Sequence, residues 1–219
     1  NEAQLQYYQL QTDPHFYLNC LNTISTLLQN EKKEVANDMI IALSGHFRYM
    51  FRKSRSLVLL KEELEEVQDY CRIYNIRNGI PLLVDMDVSK SEMLCKVPIL
   101  CIQTFVENAI KYYGKNGQML QVRIQIRRIK KEYKKEFLKI RITDNGVGYT
   151  KENLDEFNKP VDKFVYKSSH VGIDNLKYRF KLIFENEADI YFYNAPYSGA
   201  VVEMTIPAKE DDSDENINN

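Results

Sequence analysis

Leu138-Lys139-Ile140-Arg141-Ile142-Thr143-Asp144-Asn145-Gly146-Val147-Gly148 is the stretch on which the fold turns. Leu138, Ile140 and Ile142 alternate with charged or polar residues, the period-two pattern of a strand with one buried face. The same alternation carries Asp144 onto the apolar side. A carboxylate there is costly unless it is hydrogen-bonded. The two glycines that follow permit close approach to the backbone. A buried acceptor at a strand end suits a donor such as the amino group of adenine. Read alone, the same letters also fit a plain turn between two elements.

Outward from this strand, alternation marks two more, at Val122/Ile124/Ile126 and Val202/Met204/Ile206. Residues 190–193 form a fourth strand, and 82–88 are a candidate for another. Pro98 is expected to open a helix running to about residue 113, since proline suits a first helical position. Its core stripe would be Ile99, Ile102, Val106 and Ala109. Residues 176–184 read as a helix.

The N-terminal half is different. Its first 110 residues hold only Gly45 and Gly79, whereas Gly114, Gly117, Gly146, Gly148 and Gly172 fall further on. Residues 4–30 have a helical stripe of Leu18, Leu21, Ile24 and Leu28. Pro14 either kinks that helix or starts a new one, with Thr12 or Asp13 as cap. Residues 33–53 repeat the pattern with Val35, Met39, Leu43, His46 and Met50. The NEKK between them is only long enough to turn back, so the two form an antiparallel hairpin. Its apolar stripe is expected to be buried against a second copy, as a four-helix bundle. Residues 54–57 are the expected boundary. A third helix at 60–77 would turn Leu60, Leu64, Val67, Cys71 and Tyr74 inward and its KEELEE segment outward. The expected domains are 1–56, 57–208 and an acidic, disordered tail at 209–219. The class is α+β.

The chain of 219 residues is 44% hydrophobic and 28% charged, which excludes a wholly disordered protein. Thirty basic against 31 acidic residues give a net charge of −1, which argues against a general nucleic-acid binder. No apolar run approaches the ~18 residues of a membrane span. The opening NEAQLQYYQLQ is no signal peptide. Because the chain does not begin with Met, it is expected to be part of a longer protein, with any membrane segment upstream. Four cysteines without CxxC spacing leave two disulfides open by count, fit a reducing cytosol better, and give little support to a zinc site.

Four further motifs carry chemistry. In Glu107-Asn108-Ala109-Ile110-Lys111, helical geometry puts Thr104, Asn108 and Lys111 on one polar face. Asn offers a hard oxygen to Mg²⁺ and Lys a charge to phosphate; a solvated face would look the same. In Asp13-Pro14-His15-Phe16, His15 flanks the apolar stripe, accessible yet held by neighbours, where an imidazole nitrogen is a competent nucleophile. His46 reads instead as a hydrogen-bonded residue at the core edge, and His170 lies in a loop. In Val171-Gly172-Ile173-Asp174-Asn175-Leu176, a glycine turns into a helix whose first amides can meet an anion. The preceding FNKPVDKFVYKSSH is expected to be a lid. The basic stretch IRRIKKEYKKEF, at 126–137, reads as a solvated hairpin tip, with partner docking as the other reading.

In this order, PHFYLN, ENAIK, DNGVG and VGIDNL resemble the sensor histidine kinases of the LytS/YesM type over about residues 4–207. The resemblance implies a histidine-phosphotransfer hairpin that forms a homodimer, followed by an ATPase domain of the GHKL α/β sandwich fold. It implies His15 as phosphoacceptor, Asn108 as Mg²⁺ ligand, Glu107 as a polarising base and Lys111 as a phosphate contact. Asp144 would bind adenine. Gly146 and Gly148 would belong to the first glycine box, and Gly172 and Asn175 to the second. ATP and Mg²⁺ would be the cofactors, and the receiver domain of a response regulator the partner. The setting would be the cytoplasmic part of a bacterial membrane receptor. The second box departs from the family pattern, with His170 where a glycine is usual, and Tyr112 stands where the family often has His. A catalytically weak, kinase-like signalling scaffold is the alternative reading.

Overall fold

A computed structural model describes residues 14–50, 56–79, 81–113, 119–130, 135–161 and 171–209. Expectations for residues 4–13, the cap at Thr12 or Asp13, Gly114, Gly117, most of the lid including His170, and the tail beyond 209 lie outside these residues. The described residues form two compact units, 14–50 with Leu64–Leu82, and Ser56–Glu63 with residues from Leu83 onward. The chain therefore crosses between them at 56, again at 64 and again at 83, where the sequence suggested one boundary at 54–57.

The first unit is built on a helical hairpin, α1 (Pro14–Gln29) and α2 (Lys33–Met50). Pro14 is the first described residue of α1, a position that its missing N–H allows. The turn between them places Glu31 at φ 59°. The core is Cys20, Ile24, Ala36, Met39, Ala42, Leu43 and Ile73, flanked by Phe16, Tyr17, Leu27, Phe47 and Ile76. The expected α1 stripe is only partly in this core. Ile24 is buried, while Leu18, Leu21 and Leu28 are 59%, 57% and 49% exposed. The hairpin closes on the adjacent stripe, led by the aromatic pair Phe16 and Tyr17, because stacked rings fill the gap between helices. Tyr17 stacks on Phe47 with ring centres 4.6 Å apart.

After a short strand, β1 (Leu57–Leu59), helix α3 (Leu60–Asn78) begins in the second unit and from Leu64 continues in the first. Its KEELEE segment does not form an exposed face, since Glu63 is 0% and Glu66 3% exposed. Each carboxylate is buried with partners, as buried charge requires. Glu66 Oε1 makes a short hydrogen bond with His46 Nδ1 of α2, itself 4% exposed. Tyr17 Oη lies 3.4 Å from His46 Nε2. The neighbouring Cys71 thiol is pushed up to about 12 by burial first and by Glu66 second. His46 is thus the hydrogen-bonded core-edge residue that the sequence suggested.

The second unit is a five-stranded sheet, order β2-β4-β5-β7-β6, formed by β2 (Leu82–Asp87), β4 (Leu120–Lys130), β5 (Glu136–Asp144), β6 (Asp189–Asn194) and β7 (Ala200–Pro207). A short β3 (Lys96–Pro98) pairs with β1 in a separate two-stranded sheet. Antiparallel register aligns Ile124 with Ile142 and Ile142 with Val202, then Ile126 with Ile140 and Ile140 with Met204. These residues are all buried. Helices α4 (Gln103–Tyr112), α5 (Lys151–Phe157) and α6 (Val171–Phe184) contribute Phe105, Val106, Phe157, Leu176 and Phe180 to the same core. The other face of the sheet carries the ion pairs Arg123–Asp85, at 2.9 Å, and Arg141–Glu203, at 2.8 Å.

Pro98 ends β3 instead of opening a helix, and α4 starts five residues later at Gln103. Leu100 lies between them in the left-handed region, at φ 61°, so the chain turns before it coils. Helix α5 and the small β1–β3 sheet were not expected from the sequence. Thr150 caps α5 by accepting from Asn153 N at 3.2 Å.

Replacing His46 by Ala removes the imidazole that the buried Glu66 carboxylate meets. It should destabilise the first unit by ~3–5 kcal/mol in urea unfolding. A loss below about 0.5 kcal/mol, the range of ordinary surface changes, would show that the pair carries little of that unit's stability.

Candidate active site

The inward end of β5 is the anchor. Asp144 Oδ1 accepts from Gly146 N at 2.8 Å and from Ala200 N at 3.1 Å. Burial pushes its carboxyl above the ordinary aspartate range, and the two amides pull the other way. The surrounding loop is shaped to allow this. A Cβ at Gly199, where φ is 99°, would lie 1.8 Å from the Asp144 carbonyl oxygen, so only glycine fits beside the strand end. At Gly148, φ 79°, a Cβ would lie 2.7 Å from Asn194 Oδ1. That oxygen accepts from Tyr149 N at 2.7 Å, and Asn194 Nδ2 donates to Tyr149 O at 2.9 Å. Gly148 thus clears the way for a clasp within the chain.

Asp144, Gly146 and Gly148 line one cavity with Asn108, Ala109, Tyr112 and Tyr113 of the α4 end, Tyr149, Thr150 and Asn153, Phe105, Phe157, and Ile173 of α6. Its volume of ≈ 200 Å³ falls below the ~300 Å³ at which pockets begin to enclose a whole ligand, and suits a ring. The Tyr149 hydroxyl is raised by burial and then by the charge of Asp144. A cleft of ≈ 680 Å³ opens on the other face of the sheet, but its Arg123 and Arg141 are already paired with Asp85 and Glu203.

The other expected residues are placed as follows. Glu107 is exposed and accepts from Gln103 Nε2 at 2.7 Å. Lys111 is exposed, its Nζ 5.2 Å from the centre of the Tyr112 ring, and is not among the lining residues. A Cβ at Gly172 would meet Thr104 Cγ2 at 3.6 Å, which brings the start of α6 beside α4. Asn175 is buried, and its Oδ1 has no hydrogen-bond partner among the described residues. His15 belongs to the first unit, on the exposed side of α1, with Asn19 Nδ2 3.0 Å from its Nδ1. The sequence reading missed Tyr149, Asn153, Asn194 and Gly199. Of these, only Gly199 carried a signal: a glycine directly before a strand, two residues after Tyr197.

The chain matches the histidine kinase family over residues 3–82 and the histidine kinase-, DNA gyrase B- and HSP90-like ATPase family over 98–210. It is 29% identical over 219 residues to the sensor protein LytS of Enterococcus faecalis, covering 99% of this chain and 36% of that one. It is 31% identical over 209 residues to LytS of Staphylococcus saprophyticus, covering 94% and 34%. It is 25% identical over 206 residues to the sensor protein kinase HptS of Staphylococcus aureus, covering 94% and 38%. The chain therefore spans little more than a third of the length of these relatives. It belongs to the histidine kinase-, DNA gyrase B- and HSP90-like ATPase family, and it is similar to sensor proteins of the LytS type. Among the described residues no helix is long and apolar enough to cross a membrane.

An ionised carboxylate accepts from a ligand amino group more strongly than its protonated form does. ATP affinity should therefore fade as pH drops, over a range above that of an ordinary aspartate, because burial raises Asp144. Asp144→Asn should cost ~1.5–3 kcal/mol of binding near neutral pH and flatten that pH dependence. Calorimetric titration across pH 5 to 8, roughly the span over which binding is measurable in folded protein, checks both. Equal affinities for parent and variant would remove Asp144 from the site.

Proposed function

We propose that this chain is the catalytic core of a two-component receptor: it transfers the γ-phosphoryl group of MgATP to His15 and then to an aspartate of a response-regulator receiver domain. The observation that carries the reading is the cavity that joins a doubly amide-bound Asp144 to Asn108. Adenine would lie at Asp144, between the aromatic side chains, and the phosphates toward the end of α4 and the start of α6. Gly146 and Gly148 line this cavity, and Gly172, beside Thr104, and the buried Asn175 would stand toward the phosphates.

Among the described residues no three His, Cys, Asp or Glu side chains cluster as metal ligands. A divalent cation here would thus be shared between the Asn108 amide oxygen and phosphate oxygens, the arrangement Mg²⁺ favours. When bound, Mg²⁺ would neutralise phosphate charge. Lys111 and Glu107, both exposed on α4, would act once the phosphates and the phosphoacceptor arrive. Phosphoryl transfer demands little else than position and charge neutralisation. At His15, the Asn19 amide beside Nδ1 can turn its oxygen to hold the proton there, which leaves the Nε2 lone pair for phosphorus. The Nε2–P bond forms as the bond from the γ-phosphorus to the ADP oxygen breaks.

The homodimer has its own support. Leu18, Leu21 and Leu28 of α1 and Ile40 and Ile41 of α2 are 44–59% exposed, an apolar surface that a second hairpin would cover. The chain would work at the cytoplasmic side of a membrane receptor, through segments preceding it.

Incubation with γ-labelled ATP should leave label on the parent that survives base and is lost in acid, and none on His15→Gln, whose ATP affinity stays as in the parent. Acid-stable label, or label on His15→Gln, would contradict the assignment. Leu21→Asp should shift sedimentation from dimer to monomer at tens of micromolar, roughly where weak bundles assemble. A parent that sediments as a monomer there would contradict the dimer.

A further inference from the structure

We propose that Glu63 is a positioning residue for the nucleotide site: its buried carboxylate fixes the start of α4 and thereby the place of Asn108. The proposal rests on Asn108 serving the metal side of bound MgATP. Glu63 lies in the first turn of α3 and is 0% exposed. It accepts from Leu100 N at 2.8 Å, from Ile102 N at 2.8 Å and from Gln103 N at 3.2 Å. These are N–H groups at the beginning of α4, which no carbonyl of that helix reaches. A local N-cap side chain ordinarily meets the next amides of the first turn instead, and here those of Thr104 and Phe105 already bond to Leu100 O and Ile102 O, at 3.2 and 3.1 Å. Ile102 occupies the cap position and makes no side-chain cap hydrogen bond. A carboxylate 37–40 residues earlier instead holds the amides of Leu100, of the cap residue itself and of Gln103.

Two neighbours show that the charge is built into the site. Leu100 is held at φ 61°, a conformation leucine rarely takes, and its N–H is one of the three that Glu63 accepts. Cys101 is fully buried, and its thiol is raised well above the ordinary range, by burial first and by the Glu63 charge second, with Arg179 of α6 opposing. Glu63 and Arg179 thus act on the same buried thiol, between the start of α4 and the helix whose Ile173 lines the cavity. From Gln103 to Asn108 is five residues, about 7.5 Å along one helix. A helix transmits a shift or rotation of its first turn to that distance with little damping. Asp144 is anchored separately, by the amides of Gly146 and Ala200. Loss of Glu63 should therefore displace the metal end of the nucleotide and spare the adenine end.

Glu63→Gln keeps the shape but offers one acceptor oxygen and turns an NH₂ toward backbone N–H groups. Glu63→Asp keeps the charge on a shorter arm. Calorimetric titration of the 219-residue chain with MgATP, and with ATP in EDTA, below the melting temperature of each variant, separates positioning from stability. Glu63→Gln should weaken MgATP about tenfold, as small misplacements do. ATP without metal should stay within about twofold. Glu63→Asp should recover part of the difference. If Glu63→Gln does not fold, the same ratio in Glu63→Asp decides. MgATP affinity within about twofold of the parent, or equal losses with and without metal, would overturn the proposal and leave Glu63 a structural residue. A parent whose ATP affinity ignores both Mg²⁺ and Asp144→Asn would overturn the nucleotide reading itself, and the role of Glu63 with it.

Discussion

The hydrogen bonds from Gly146 N and Ala200 N to Asp144 Oδ1 are the constraint on which the site depends. A half-buried carboxylate at the end of a central strand is unfavourable in itself, and two amides oppose that penalty. To supply the second amide, the chain must pass within contact of the strand end, which is why Gly199 has no room for a Cβ. To supply the first, it must fold back at Gly146, whose own Cβ would stand 3.0 Å from the carboxylate. The Asn194–Tyr149 clasp then ties the loop to the edge strand β6. Asp144 emerges held in one orientation and still able to accept from a ligand.

A second set of buried carboxylates organises the helices. Glu63 and Glu66 lie three residues apart on α3, and each satisfies groups that a helix core does not otherwise serve. Glu63 meets the amides at the start of α4, within the second unit. Glu66 meets His46, within the first. One helix therefore carries an electrostatic anchor in each unit. Replacing either carboxylate removes a distant partner as well as a charge.

Much of this was legible in the sequence where one period sufficed. Alternation placed Ile124, Ile142 and Val202 on the inner face, and the register aligns them across three strands. It also put Asp144 on that face, and helical spacing put His46 at the core edge. Pattern failed where the deciding partner is remote. A helical wheel sees Glu63 and Glu66 as polar and sends them to solvent. Their partners lie 20 and 37–40 residues away. Pro98 looked like a helix start because its preference is local, whereas strand pairing with β1 holds it extended. Leu18, Leu21 and Leu28 were correctly read as an apolar stripe, but Phe16 and Tyr17 claim the hairpin interior. Gly148 lines the cavity, and the side where its Cβ would stand faces Asn194, a partner 46 residues away that no local pattern reveals.

In this account the parts of the catalytic core are a rigid adenine anchor, a helix-borne Asn108 set by Glu63, and an accessible imidazole on a separate unit. The chemistry asks only that they be brought to one nucleotide. A crystal structure of the chain with Mg²⁺ and a non-hydrolysable ATP analogue tests this most directly. The account predicts the adenine amino group within hydrogen-bond distance of Asp144 and the metal shared by the phosphates and the Asn108 oxygen. An analogue seated in the cleft on the other face of the sheet, or a metal remote from Asn108, would contradict it.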